Sequence, residues 1–188
     1  MRRPALRLQF WSASIRGKRL APANRLVIGL AATGLFALGW ALLRTPSSQI
    51  VYNASASMPT GWYRITPTTS VRQEETVLVR LPPAPASLAA TRGYLPANIP
   101  LIKRVFATSP SRVCIRAMQV LVDDRVVARS QSRDRSGRAL PRWSGCRTLA
   151  DDEIWLMSAD HPDSFDSRYF GPLTLDSVLG VAEPLRLD

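Results

Sequence analysis

Lysine is almost missing from this chain. Of its 25 basic residues all but Lys18 and Lys103 are arginine. Histidine is represented by His161 alone, and cysteine by Cys114 and Cys146. Those three residues form no metal-ligand spacing, so neither a metal nor another cofactor is expected. No internal repeat is evident, which excludes solenoid and propeller arrays.

Acidic side chains are absent from the first 25 residues, which hold Arg2, Arg3, Arg7, Arg16, Lys18, Arg19 and Arg25. The whole chain carries 25 basic against 14 acidic residues, a net +11; without those seven cations the balance is 18 to 14, or +4. The rest of the chain is thus only mildly basic, and the excess charge does not mark a nucleic-acid binder. Charge is absent again from residues 26–43 (LVIGLAATGLFALGWALL). As a helix this run spans about 27 Å, close to a hydrocarbon core of roughly 30 Å. Trp40 stands near the distal end, where an indole suits the headgroup layer.

Seven cations before the run and only Arg44 soon after it place the tail in the cytoplasm by the positive-inside rule. A cleaved signal peptide has a shorter apolar core and a small-residue cleavage site, whereas Leu42-Leu43-Arg44-Thr45-Pro46 offers none. The chain therefore reads as a cytoplasmic tail (1–25), a single lipid-contacting transmembrane anchor (26–43) and one external domain (44–188). In an oxidising compartment outside the membrane Cys114 and Cys146 can pair; the alternative is two unrelated buried thiols.

Within the external domain apolar runs are short and rich in β-branched residues. Residues 62–65, 76–81, 101–107, 113–115 and 154–158 read as strands, 119–128 as a hairpin turning at Asp123-Asp124, and 177–187 as one or two strands around Gly180. Pro82, Pro83, Pro85, Pro96 and Pro100 predict a loop with little room for a helix. The polar, arginine-rich stretch 129–147 reads as a long surface excursion. The fold expected is all-β, a partly open barrel or sandwich with long loops.

Lys103 is the sole lysine of that domain and lies in an apolar strand, Pro100-Leu101-Ile102-Lys103-Arg104-Val105-Phe106. Arginine stays protonated at any working pH, but a desolvated lysine can lose its proton and serve as a general base. The alternative is a snorkelling lysine on an edge strand, and the residue types leave both open. Upstream, Ser55-Ala56-Ser57-Met58-Pro59 presents hydroxyls before a proline turn, shortly after the anchor's end. Downstream, Asp163-Ser164-Phe165-Asp166-Ser167-Arg168-Tyr169-Phe170-Gly171 holds an acid–arginine pair suited to bracing a loop.

In that order, after an N-terminal anchor, SASMP, PLIKRV and DSFDSRYFG resemble three boxes of the type I signal peptidase superfamily. RGYLP from Arg92, GRALPRWSGC ending at Cys146, and VLGVAEPL from Val178 are similar to the conjugative-transfer signal peptidases of the TraF type. Where that family has a Gly-Asp turn after the lysine strand, this chain has Ser109-Pro110-Ser111. The resemblance implies a signal-peptidase/LexA-like β-fold, Ser57 as nucleophile, Lys103 as its base and Ser164 as the residue orienting the amine. It also implies an oxyanion hole made by Ser55 with the Ser57 N–H, and a brace of Asp166, Arg168 and Arg104.

The function implied is a bacterial inner-membrane serine endopeptidase. Its catalytic domain would be periplasmic, and its substrate an exported precursor, in this type a conjugative propilin, with cyclisation of the product left open. The alternatives are a general leader peptidase for secreted preproteins and an inactive anchored component of a secretion machine. A Ser–His–Asp triad would have to use His161. LexA-like repressors share the dyad but cleave an internal Ala-Gly bond, and this chain contains none.

Overall fold

The computed structural model describes the backbone of residues 22–43 and 49–185 and the side chains of 26–40 and 49–185. Residues 1–21 of the basic tail, 44–48 and 186–188 lie outside the described residues. The chain divides into two units, residues 1–45 and 46–188. The first is represented by helix α1 (Pro22–Leu43). Its apolar side chains, among them Leu30, Leu35, Phe36 and Leu38, stand exposed, and Thr33 returns its hydroxyl to the Gly29 carbonyl at 2.8 Å. Among the described residues no helix is long and apolar enough to cross a membrane. The described side chains of α1 cover only 26–40, short of the roughly 20 residues a crossing takes.

The second unit begins with β1 (Gln49–Asn53), β2 (Gly61–Thr66) and β3 (Thr76–Val79), followed by helix α2 (Pro83–Thr91). Next come β4 (Leu101–Thr108), β5 (Arg112–Arg116), β6 (Gln119–Val122), β7 (Arg125–Arg129), β8 (Gly145–Thr148) and β9 (Glu153–Leu156). A short helix α3 (Ser167–Phe170), β10 (Leu173–Thr174) and β11 (Val178–Pro184) complete it. One sheet has the order β1-β2-β11-β3-β4-β9-β10 and the other β7-β6-β5-β8. Every pairing is antiparallel.

The expectation was an all-β domain; the observed one is mostly β, with a helix as the correction. The proline-rich stretch contains α2, because a proline at the first helical positions loses no hydrogen bond, the N–H groups there being unpaired in any helix. Pro82 accepts the first helical bond from Ala86 N at 3.0 Å, and Ala-Ser-Leu-Ala-Ala then supplies good helix formers. The strands β1 and β8, at sheet edges, carry apolar residues on their exposed sides or hardly any, so alternation did not mark them. At Asp123-Asp124 both φ values are positive, 50° and 62°, as a two-residue hairpin turn requires. A Cβ on Gly180 would lie 2.5 Å from the Thr66 carbonyl oxygen, so β11, which bulges here against β3, can lie this close to the end of β2 only without a side chain.

Strands β3 and β4 are central. Val77, Val79 and Val105 enter one apolar cluster with Ile154 and Leu156, while Leu78 and Ile102 enter another with Met58 and Tyr63. A third cluster joins the two sheets, setting Ala107, Trp155 and Met157 against Val113, Ile115, Val120 and Val122. The excursion 129–147 is not all loop: Trp143 packs edge-on to Trp155 at 5.0 Å, and its last residues form β8.

There Cys146 stands directly opposite Cys114 of β5, with the sulfurs at bonding distance. With a separation of 32 residues, a bond between them would strongly constrain the unfolded chain. Replacing both cysteines by serine is expected to lower the unfolding free energy by about 3–4 kcal/mol. Urea unfolding of the external domain measures that loss, and alkylation of denatured, unreduced protein should label neither thiol.

Candidate active site

Four elements converge on one amine. Strand β4 alternates up to its bulge at Phe106, so Lys103 shares a face with Val105 and stands opposite Val77 of β3. The lysine is 1% exposed. Its Nζ lies 2.5 Å from Ser57 Oγ in the β1–β2 connection and 2.7 Å from Ser164 Oγ. Ser158 Oγ, just beyond β9, is 3.4 Å away. Burial lowers the amine from its usual 10.5 to about 8; Asp166 opposes the shift and Arg168 adds to it. A lowering to about 8 corresponds to roughly a tenth of the amines being neutral at pH 7, against about one in three thousand at 10.5.

Ser55 lies beside the serine–lysine pair. Its Oγ is 2.8 Å from Ser57 Oγ and accepts from the Ser57 N–H at 3.3 Å. A hydroxyl and a backbone N–H thus adjoin the Ser57 oxygen, an arrangement able to offer two donors to a developing oxyanion. The described hydrogen bonds of Ser57 Oγ run to Lys103 and Ser55 and not to His161. A cleft of roughly 210 Å³ opens on the group, walled by Tyr94, Leu95, His161, Asp163 and Phe165 among others.

The loop bearing Ser164 is held by a buried ion pair. Arg168 donates from Nε to Asp166 Oδ1 and from Nη2 to Oδ2, each at 2.8 Å. Its remaining N–H groups reach the carbonyls of Ser164 at 3.1 Å, His161 at 3.0 Å and Arg129 at 3.3 Å. Burial alone would pull the guanidinium down, but the Asp166 carboxylate outweighs it and raises it. Asp166 also accepts from the Ser158 N–H at 3.2 Å and caps α3. One guanidinium thus sets the path of 158–166, which delivers both Ser158 and Ser164 to the lysine.

Arg104 does not join that brace. Strand alternation turns it to the other face from Lys103, where it meets Glu74 at 3.6 Å, half exposed. Ser158 was missed as a site residue; a polar residue closing the apolar run EIWLM was the one signal, and it marks a strand end equally well.

A second knot ties the excursion to the cleft. Asp134 accepts from the Tyr94 hydroxyl, which holds its carboxyl far below the usual range, and from Arg138 Nε at 2.7 Å. Arg92 adds a bond to the Ala139 carbonyl at 2.7 Å, so the RGYLP and GRALP segments form one structure. Arg135 pairs with Asp163 at 2.6 Å across the cleft wall.

Stability should bear the mark of the buried amine. A lysine lowered in the fold binds its proton less readily than in the unfolded chain, so stability rises with pH between about 8 and 10.5. Below that window the charge costs on the order of 3 kcal/mol. Lys103→Met is accordingly expected to raise the melting temperature at pH 7 and to flatten the rise above pH 8. Asp166→Ala, which strands a buried guanidinium, is expected to cost about 3–5 kcal/mol. Thermal melts across pH 6–10 check both.

The family model described as signal peptidase, peptidase S26, matches residues 23–185. A plasmid transfer protein TraF of Escherichia coli is 32% identical over 180 residues, covering 89% of this chain and 96% of its own length. A conjugal transfer protein TraF of Agrobacterium fabrum is 31% identical over 143 residues, covering 71% and 80%. Among solved structures, a signal peptidase I from Enterococcus faecalis aligns at 16% identity over 60% of this chain and 96% of its own, with a TM-score of 0.35. The chain belongs to the signal peptidase family, peptidase S26, and is one of the TraF proteins within it.

Proposed function

We propose that this chain is a serine endopeptidase that cuts an exported precursor protein with a Ser57–Lys103 dyad. The carrying observation is the 2.5 Å contact between Ser57 Oγ and an amine buried to 1% exposure. A neutral Lys103 accepts the Ser57 proton as the oxygen attacks the scissile carbonyl carbon. Its two N–H groups remain for Ser164 and Ser158. The tetrahedral oxyanion is met by the Ser57 N–H and by the Ser55 hydroxyl, rotated off Ser57. Collapse breaks the C–N bond, and the leaving amine takes the proton from Lys103. Water then attacks the ester as Lys103 accepts its proton. Collapse breaks the C–Oγ bond, Lys103 returns that proton to Ser57 Oγ, and the product acid leaves as a carboxylate with its own proton lost to solvent.

The substrate in this reading is a conjugative propilin, since the relatives are named for plasmid and conjugal transfer. The enzyme is held at the bacterial inner membrane by residues 26–43, with the tail cytoplasmic and the dyad periplasmic. The serine's place shortly after the apolar run in sequence supports that setting, as does the cysteine pair, which suits an oxidising compartment.

Cleavage of a co-expressed propilin in membranes tests the reading. Wild type should cut, with kcat/KM rising with pH through about 8 as Lys103 loses its proton. Ser57→Ala and Lys103→Ala should each lose at least about 10³-fold. Lys103→Arg should fail equally, because a guanidinium cannot give up its proton. Cutting by Lys103→Arg would remove Lys103 as the base.

A further inference from the structure

Ser55 and Ser57 both stand in the connection between β1 and β2, a stretch with no regular structure of its own. Asn53, the last residue of β1, pairs with Gly61, the first of β2, so the intervening residues form one closed loop. Inside it the Asn53 side chain is 7% exposed. Its Nδ2 donates to the carbonyls of Ser55 at 3.0 Å, Met58 at 3.2 Å and Pro59 at 2.9 Å. Its Oδ1 accepts from the Ser55 N–H at 3.0 Å. Two amide hydrogens serve three carbonyls, so one is shared. Tyr63 adds its hydroxyl to the Pro59 carbonyl at 2.8 Å.

We propose that Asn53 is a positioning residue for the cleavage reaction, the internal template that aims the Ser57 oxygen, the Ser57 N–H and the Ser55 hydroxyl at the scissile carbonyl. The inference rests on the dyad reading above. The Ser55, Met58 and Pro59 carbonyls turn inward onto one amide. Ser57, between them, contributes no bond to that amide, and its N–H and Oγ are left to Ser55 and Lys103. Oxyanion donors stabilise charge only when fixed before it develops. An error of about 1 Å in such a site costs on the order of 10²-fold in rate.

Asparagine is the residue that fits. Aspartate keeps the shape and the acceptor but has no hydrogens for three carbonyls, alanine has neither function, and glutamine is a methylene too long for the closed loop. Lys103 reaches the site from β4 and is lowered by its own burial, so loss of Asn53 should leave its titration alone.

The test is steady-state propilin cleavage across pH 6–9 by wild type, Asn53→Ala, Asn53→Asp and, alongside, Ser57→Ala, with a thermal melt of each. Support is a fall in kcat of about 10²-fold in both Asn53 variants, with KM within about threefold and the wild-type pH midpoint retained. Asn53→Asp, closest in shape, decides the matter should Asn53→Ala melt below the assay temperature. Cleavage by Asn53→Asp within threefold of wild type overturns the proposal. So does a defect confined to KM, which would mark a loosened binding surface. If Ser57→Ala cuts like wild type, the dyad reading falls and takes this inference with it; if Ser57→Ala is dead and the Asn53 variants are normal, only this inference fails.

Discussion

The contact between the Lys103 amine and the Ser57 hydroxyl exists because β4 carries its lysine into a face otherwise lined by valine. Val77, Val79 and Val105 are all fully buried there. No carboxylate touches the amine; its described hydrogen-bond neighbours are three serine hydroxyls. That choice fits a base. A carboxylate at contact distance would raise the amine and lock its proton on, whereas neutral hydroxyls accommodate either state. The Asp166 carboxylate acts from further away and is largely neutralised by Arg168, so desolvation prevails.

The rest of the domain keeps those serines in place. Arg168 gathers the carbonyls of Ser164, His161 and Arg129, and so binds the serine loop to the end of β7 in the smaller sheet. Tyr169 accepts from the Gln131 N–H, Arg135 reaches Asp163, and Asp134 joins Arg138 to Tyr94. Each tie runs from the excursion between the cysteines to a wall of the cleft or, at Tyr169, to a ring stacked on the cleft's Phe165. The second sheet is thus a clamp on the site, closed at its far side by the cysteine pair. The chain's preference for arginine suits this work, since a planar guanidinium with five donors can bridge several carbonyls where an ammonium cannot.

How much of this was legible depended on whether a residue acts through its type or through its surroundings. The single lysine of the domain stood out because arginine could have served any purely electrostatic purpose, and Ser57 and Ser164 lay in boxes whose order was informative. Asp166 and Arg168, two residues apart, announced a local pair. Arg104 was drawn into the same group by adjacency, although a strand sends neighbours to opposite faces. Ser158 and Asn53 carry no chemistry visible in a string of letters; one is placed by the end of β9 and the other by the closure of a loop. Helix α2 was hidden by prolines that break a helix anywhere but its first turn.

The central claim, that Lys103 is a base held near neutrality by burial, is open to direct titration. Because the chain contains only Lys18 and Lys103, isotope labelling of lysine gives two side-chain resonances to follow by NMR, and Lys103→Met identifies which is which. A midpoint near 8 for Lys103, beside an ordinary one near 10.5 for a solvated amine, is the expected result. Titration of Lys103 close to 10.5 would contradict the account, because the amine would then be charged and unable to activate Ser57 at any physiological pH.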